Sequence, residues 1–139
     1  MSAEYLMKKY LKDHNINDIS VSSAGTTAHP QPSFPETLAR LRKDGCDASE
    51  HQQTKLTAEV LEWKDVVICM AEHHRTVVRE LGYDAVLFNE IAYGKSEDLM
   101  DDTEYGDKYG YDYDLWKYVD FIVDYIHDAM PYIIEKLIK

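Results

Sequence analysis

Cys69 and Arg75 stand six positions apart in Cys69-Met70-Ala71-Glu72-His73-His74-Arg75-Thr76. A thiolate and a guanidinium at that spacing, where an apolar run passes into a helical pattern, have the types needed to attack and hold a phosphoryl group. Two features argue against that use. The stretch has no glycine to turn backbone amides toward an anion, and it puts Glu72 where a dianion would bind. Cys69 is therefore expected to be a small buried hydrophobe. His73 and His74 beside Glu72 have metal-ligand chemistry, but adjacent positions on a helix point apart, so no metal site is expected. The acidic stretch from Glu97 to Asp114 lacks the Asp-x-Asp-x-Asp-Gly spacing of a calcium loop. His51, taken alone, reads as a structural histidine. Ser23-Ala24-Gly25-Thr26 sets two hydroxyls around two residues small enough for another backbone to lie close.

Elements must position these groups. Ile19 and Val21 alternate with Ser20 and Ser22, which predicts a strand over 18–23 that runs into the turn at Ser23. A turn of that kind suits the carboxyl edge of a parallel sheet, where ligands sit in open α/β folds. Residues 2 to about 14 read as an amphipathic helix, with Leu6, Met7, Tyr10 and Leu11 on one face. Ser33 and Glu36 form a capping-box pattern for a helix that ends at Gly45. Residues 57–63 read as a short helix, and Asp65 to Met70 as a strand buried on both faces. A helix from Glu72 to Leu81, a strand over 85–88 and one long loop over 90–112 follow. A helix from about 113 to the end carries Leu115, Val119, Ile122, Ile126, Ala129, Met130, Ile133 and Leu137 at core spacing. Pro131 should kink or split it. The order α-β-α-α-β-α-β-loop-α predicts a three-layer α/β/α fold on a small parallel sheet.

The totals narrow the function classes. A chain of 139 residues, 45 % apolar, is one domain, 1–139, with a single sizeable core. No run is long or apolar enough to span a bilayer and no signal segment opens the chain, so a cytoplasmic location is expected. Two cysteines, Cys46 and Cys69, make no disulfide framework. A net charge of −11 disfavours nucleic acid and anionic membrane as partners. An anionic substrate would need a local positive field inside this negative chain.

Taken together, the residues resemble the low-molecular-weight protein tyrosine phosphatase family, which includes thioredoxin-linked arsenate reductases. Ser23-Ala24-Gly25-Thr26 matches the family's Ser-Ala-Gly-Thr turn. Gly45, Asp47, Ser49 and His51 match its Gly-x-Asp-x-Ser-x-His stretch. Asp65–Met70 and Glu72–Arg75 match its strand-then-helix segment. Asp98-Leu99-Met100-Asp101 resembles the acidic loop that ends in the catalytic Asp of an Asp-Pro pair. The likeness covers nearly the whole chain. It departs at the front: Ala3-Glu4-Tyr5-Leu6 matches residues that follow the family's first strand and Cys-x5-Arg-Ser phosphate loop, so the chain reads as N-terminally truncated by about 15 residues. Met1 is open to being an internal methionine of a longer reading frame or a true start.

The resemblance implies phosphomonoester hydrolysis without a cofactor, on a phosphotyrosine protein or a small aryl phosphate. That chemistry needs a thiolate, a cradle of amides with an Arg fork, and an acid for the leaving phenolate. It assigns the acid to Asp101, with Asp102, standing in place of the usual Pro, as the alternative. Ser23, Thr26 and His51 would brace the phosphate loop, and Tyr105 would stack on an aromatic substrate. Without the family's cysteine and arginine, the chain is expected to be inactive as given. A catalytically dead, phosphatase-like binding protein is the alternative, and an arsenate reductase ranks below both because no cysteine follows Cys69. Of four family strands the first, which lies between 18–23 and 65–70, would be missing. The exposed ladders, at about 1–3 kcal/mol per buried unpaired group, predict closing of the gap, pairing into a homo-oligomer, or poor stability.

Overall fold

Two long amphipathic helices carry most of the core. The computed structural model describes residues 1–26, 34–111 and 113–138. Leu6, Met7 and Leu11 of α1 (Ser2–Asp13) are buried against α7 (Tyr113–Leu137), whose Leu115, Val119, Ile122, Val123, Ile126, Ala129, Met130, Ile133 and Ile134 are buried in the same cluster. The spacing of these residues follows the period of a helix that faces one core. The expected split at Pro131 does not occur: α7 runs through it as one 25-residue helix. Pro131 is exposed in the last turns, away from the core seam. α2 (Pro35–Lys43) adds Leu41 to the cluster and packs on both α1 and α7. It opens at Phe34, and the expected Ser33 cap lies outside the described residues.

The sheet is small and parallel. β1 (Ile68–Cys69) pairs with β2 (Val86–Leu87), Ile68 opposite Val86 and Cys69 opposite Leu87. α3 (Ala58–Leu61), capped by Thr57, and α4 (Glu72–Glu80) cover its second face, where Leu61, Cys69, Val78 and Leu87 form a separate buried cluster. The α/β fold with helices around a parallel sheet is therefore as the sequence predicts. No helix among the described residues is long and apolar enough to cross a membrane.

The strand expected over 18–23 is not one. Residues 17–24 have no strand assignment and take part in no backbone hydrogen bond among the described residues. Alternation gives a strand its two faces, but only a neighbouring ladder gives it hydrogen bonds, and here none is adjacent. Ile19 and Val21 still half-bury against the main core cluster. The only pairing nearby among the described residues is an isolated bridge: the Gly25 amide donates to Thr54 O at 2.8 Å and Gly25 O accepts from the Leu56 amide at 2.9 Å. The 65–70 strand shortens to two residues for the same reason, and Val66, expected to be buried, is 48 % exposed. The expected closing of 18–23 onto 65–70 is likewise not seen, since no backbone bond among the described residues joins them.

The long loop expected over 90–112 is mostly helical. α5 (Phe88–Tyr93) follows β2 without a break, because the Glu90 carboxylate accepts the Leu87 amide at 2.8 Å and caps the first turn. Gly94 ends it in the left-handed region, at φ +69°. α6 (Asp102–Tyr109) starts on Asp101, whose carboxylate accepts the Glu104 amide at 2.7 Å.

Candidate active site

The carboxyl of Asp101 is held in place by the end of β1 and by two tyrosines of α7. The amide of buried Leu99 donates to Met70 O at 2.7 Å, which pins the loop just past the strand. Asn89, 3 % exposed, donates from Nδ2 to Glu97 O at 3.0 Å and to Asp98 O at 3.4 Å. Tyr125 fixes that amide by donating to Asn89 Oδ1 at 2.5 Å, and Tyr118 donates its hydroxyl to Met100 O. A buried polar side chain with all its partners present is rigid, because any displacement strands it. The sequence did not reveal Asn89, Tyr118 and Tyr125 as supports of this loop: Tyr118 and Tyr125, seven positions apart on α7, share a helix face, but nothing in the sequence ties that face to Asn89 or to the loop.

Asp101 and Asp102, adjacent in sequence, face different partners. Asp102 accepts from Thr37 Oγ1 of α2 at 2.6 Å, and Thr37 is fully buried. Asp101 is half-buried as the cap of α6. Burial pushes its carboxyl above the usual carboxylate range, and the negative charges of Glu104 and Asp102 add to the shift; the bond from the Glu104 amide opposes it.

Ser23 and His51 both meet the first turn of α1. Ser23 Oγ donates to Glu4 Oε1 at 2.5 Å, and Lys8 Nζ reaches Glu4 Oε2 at 2.5 Å. Glu4 is 8 % exposed; burial alone would raise its carboxyl, but the bonds from Lys8 and Ser23 outweigh it and hold the group below its usual range. His51 Nδ1 lies 3.2 Å from the Tyr5 hydroxyl with the two rings edge to face, and burial pushes the imidazole down. Thr26 sits half-buried in the turn after Gly25. Burial lowers the Met1 ammonium, while the charges of Asp102, Glu4 and Asp101 oppose that shift, and its own charge helps lower His51. Glu4 and Tyr5 were not singled out from the sequence for chemistry. Their signal was available, as a glutamate in the first turn of a helix whose apolar face leaves no place for it.

Tyr105 is not on a loop. It lies on α6, stacked nearly parallel on Tyr118 with centroids 4.1 Å apart and tilted against Tyr109 at 4.7 Å. One face of its ring is thus already covered.

The Cys69–Arg75 pair is unavailable for phosphoryl chemistry. Arg75 is bound by Glu72 at 2.6 Å and by Glu90 at 2.6 Å, so its fork is filled by carboxylates. Cys69 is buried in β1, and burial pushes its thiol up, away from the thiolate. Cys46 is buried too, and burial likewise raises it. At pH 7 both thiols are expected to react with iodoacetamide much more slowly than after unfolding in guanidinium. Rapid stoichiometric labelling of Cys69 in the folded chain would contradict this environment.

His73 and His74 do not point apart as expected. Their rings lie 4.1 Å apart, and both Nε2 atoms face Glu104 of α6, at 3.1 and 3.5 Å from its Oε1. Helix side chains lean toward the N-terminus, and in the first turn of α4 no preceding turn keeps the two rings separate.

The chain is similar to known proteins over nearly its whole length. The sequence model of the low molecular weight phosphotyrosine protein phosphatase family matches residues 1–128. No curated protein sequence matches significantly. Among solved structures, a YwlE mutant from Bacillus subtilis superposes with a TM-score of 0.81 at 22 % identity, over 99 % of this chain and 89 % of that one. A low molecular weight protein tyrosine phosphatase from T. tengcongensis gives 0.81 at 24 % identity, over 97 % and 88 %. The arginine phosphatase YwlE from Geobacillus stearothermophilus gives 0.75 at 18 % identity, over 98 % and 82 %. At these identities the structural likeness carries the fold, and the family match spans more than nine-tenths of the sequence. The chain belongs to the low molecular weight phosphotyrosine protein phosphatase family.

Proposed function

We propose that this chain supplies the acid and the bracing residues of a phosphomonoester hydrolase site that acts on a phosphotyrosine protein or a small aryl phosphate. One observation carries the reading: Asp101 is a half-buried carboxyl, raised by burial and by neighbouring carboxylates, on a loop fixed from three sides. A carboxyl that keeps its proton to higher pH suits the protonation of a departing phenolate. Asp102 is the weaker candidate, since Thr37 already binds it. Ser23, Glu4, Tyr5 and His51 would hold a phosphate loop against the first turn of α1, whose positive end favours an anion. Tyr105 is left to flank the site through its stack rather than to close over a substrate.

The nucleophile and the phosphate-binding arginine would come from a further strand and loop seated between residues 17–24 and the outer edge of β1. Both of those stretches border the main core cluster, through Ile19 and Val21 on one side and Ile68 and Met70 on the other. The chain by itself is then expected to hydrolyse p-nitrophenyl phosphate no faster than background. Robust turnover that Asp101→Asn abolishes would overturn this. The state of Cys69 and Arg75 favours one other reading, a phosphatase-like protein that only binds. Titration with phosphotyrosine separates the two, because saturable binding by the unextended chain would favour it.

A further inference from the structure

His73 and His74 of α4 and Glu104 of α6 come from separate helices yet bring their ligand atoms together, all within 4.8 Å of one another. We propose that these three residues bind one divalent transition-metal ion of the zinc class and so clamp the first turn of α4 to α6. The donor set is two imidazoles and one carboxylate. Imidazole selects zinc, cobalt, nickel or copper over magnesium and calcium, which take oxygen ligands. The distances fit as well. A tetrahedral ion with bonds of about 2.0–2.1 Å holds neighbouring ligand atoms about 3.3 Å apart. Glu104 Oε1 already lies 3.1 Å from His73 Nε2 and 3.5 Å from His74 Nε2. His73 is exposed, so its ring is free to make the small rotation that completes the triangle, and the open side leaves the fourth position to water.

The surroundings favour a cation. Asp98 and Asp101 are the charged neighbours of His74 on the acid-loop side. The net charge of −11 raises the local concentration of cations near the surface. Glu104 is also preset, because Asp101 fixes its backbone amide at 2.7 Å. The competing explanation is a plain ion pair between Glu104 and the histidines, which would need no metal. The proposal rests on the positions of the three ligands and not on the phosphatase reading, so failure of either leaves the other standing.

The full chain, stripped with a chelator, is titrated with zinc chloride and separately with magnesium chloride by calorimetry at neutral pH. One zinc ion per chain is expected, with no comparable magnesium binding. His74→Ala and Glu104→Gln, made separately, should each weaken zinc at least about 10-fold. His127→Ala, which removes another histidine–carboxylate contact at 3.1 Å, should leave it unchanged. Cobalt(II) should give the visible absorption of a tetrahedral site in the parent chain and lose it in both variants. Zinc should also slow hydrogen exchange of the α6 amides. The proposal is overturned if zinc fails to bind, or if it binds the His74→Ala and Glu104→Gln chains as tightly as the parent. Circular dichroism confirms that each variant is folded before titration.

Discussion

Placing an extended segment that ends in Cys-x5-Arg-Ser directly ahead of Met1 is expected to give a phosphomonoesterase activity that the chain by itself is expected to lack. In that extended chain Asp101→Asn is expected to lower kcat by about 10²–10⁴-fold, the usual contribution of a positioned general acid. The loss should be greater for phenyl phosphate than for p-nitrophenyl phosphate, because the more basic phenolate depends more on being protonated as it leaves. Asp102→Asn should cost far less, since that carboxylate is committed to Thr37. Cys69→Ser should leave the activity unchanged, as the thiol is buried in β1 with its proton on. If Asp102→Asn proves the more damaging change, the assignment of the acid is wrong. If the extended chain folds and stays inactive, the reading of the whole site is wrong.

The environment of Asp101 also fixes the sign of a pH effect. Its carboxyl is raised on folding, chiefly by burial, so between the unfolded and folded pKa values the native chain holds the extra proton. Stability from this group is fully present below the unfolded value near 3.9 and is lost as pH rises through the raised folded value. Asn is as good a helix cap as Asp, so Asp101→Asn removes the buried charge and keeps the cap. The variant should be more stable than the parent at pH 7 and equal to it in acid, measured by urea unfolding. The burial that raises this carboxyl thus lowers stability at neutral pH.

How much of this was legible depended on whether a residue's partner lay nearby in sequence. The core faces of α1 and α7 could be read from spacing, because a helix makes its hydrogen bonds within itself and its apolar stripe alone decides what it packs against. Ile19 and Val21 have an equally clear strand pattern, yet 17–24 forms no ladder among the described residues, since a strand needs a partner that its own sequence does not encode. α5 and α6 were hidden in a polar stretch for a different reason. Their starts rest on single capping carboxylates, Glu90 and Asp101, rather than on an apolar period. The histidines were misjudged because the rule for neighbouring helix positions assumes turns on both sides, and His73 and His74 have a turn on only one. Asp101 itself could be found from its motif. The side chains that hold it, Asn89, Tyr118 and Tyr125, could be found only from the fold.

Phe88→Ala is expected to cause the largest loss of stability of any single change, about 3–5 kcal/mol. Leu87 and Phe88, each about 1 % exposed, point to opposite sides of the sheet. Leu87 belongs to the small cluster under α3 and α4, and Phe88 to the large cluster with α1 and α7. This step, like Ile68–Cys69 of β1, ties both cores together. The ring of Phe88 lies 6.4 Å from that of Tyr125, the residue that orients Asn89, and Asn89 in turn holds the backbone ahead of Asp101. Removing the ring should therefore leave a cavity and also loosen the acid loop. The midpoint of thermal unfolding should fall by about 10 °C or more. Ile138→Ala, just past the end of α7 at 59 % exposure, serves as the control and should fall within about 1 kcal/mol of the parent. Hydrogen exchange at residues 97–101 tests the second half of the argument. If Phe88→Ala is destabilised yet exchanges in that segment no faster than the lost global stability predicts, the ring packs the core and has no further hold on Asp101.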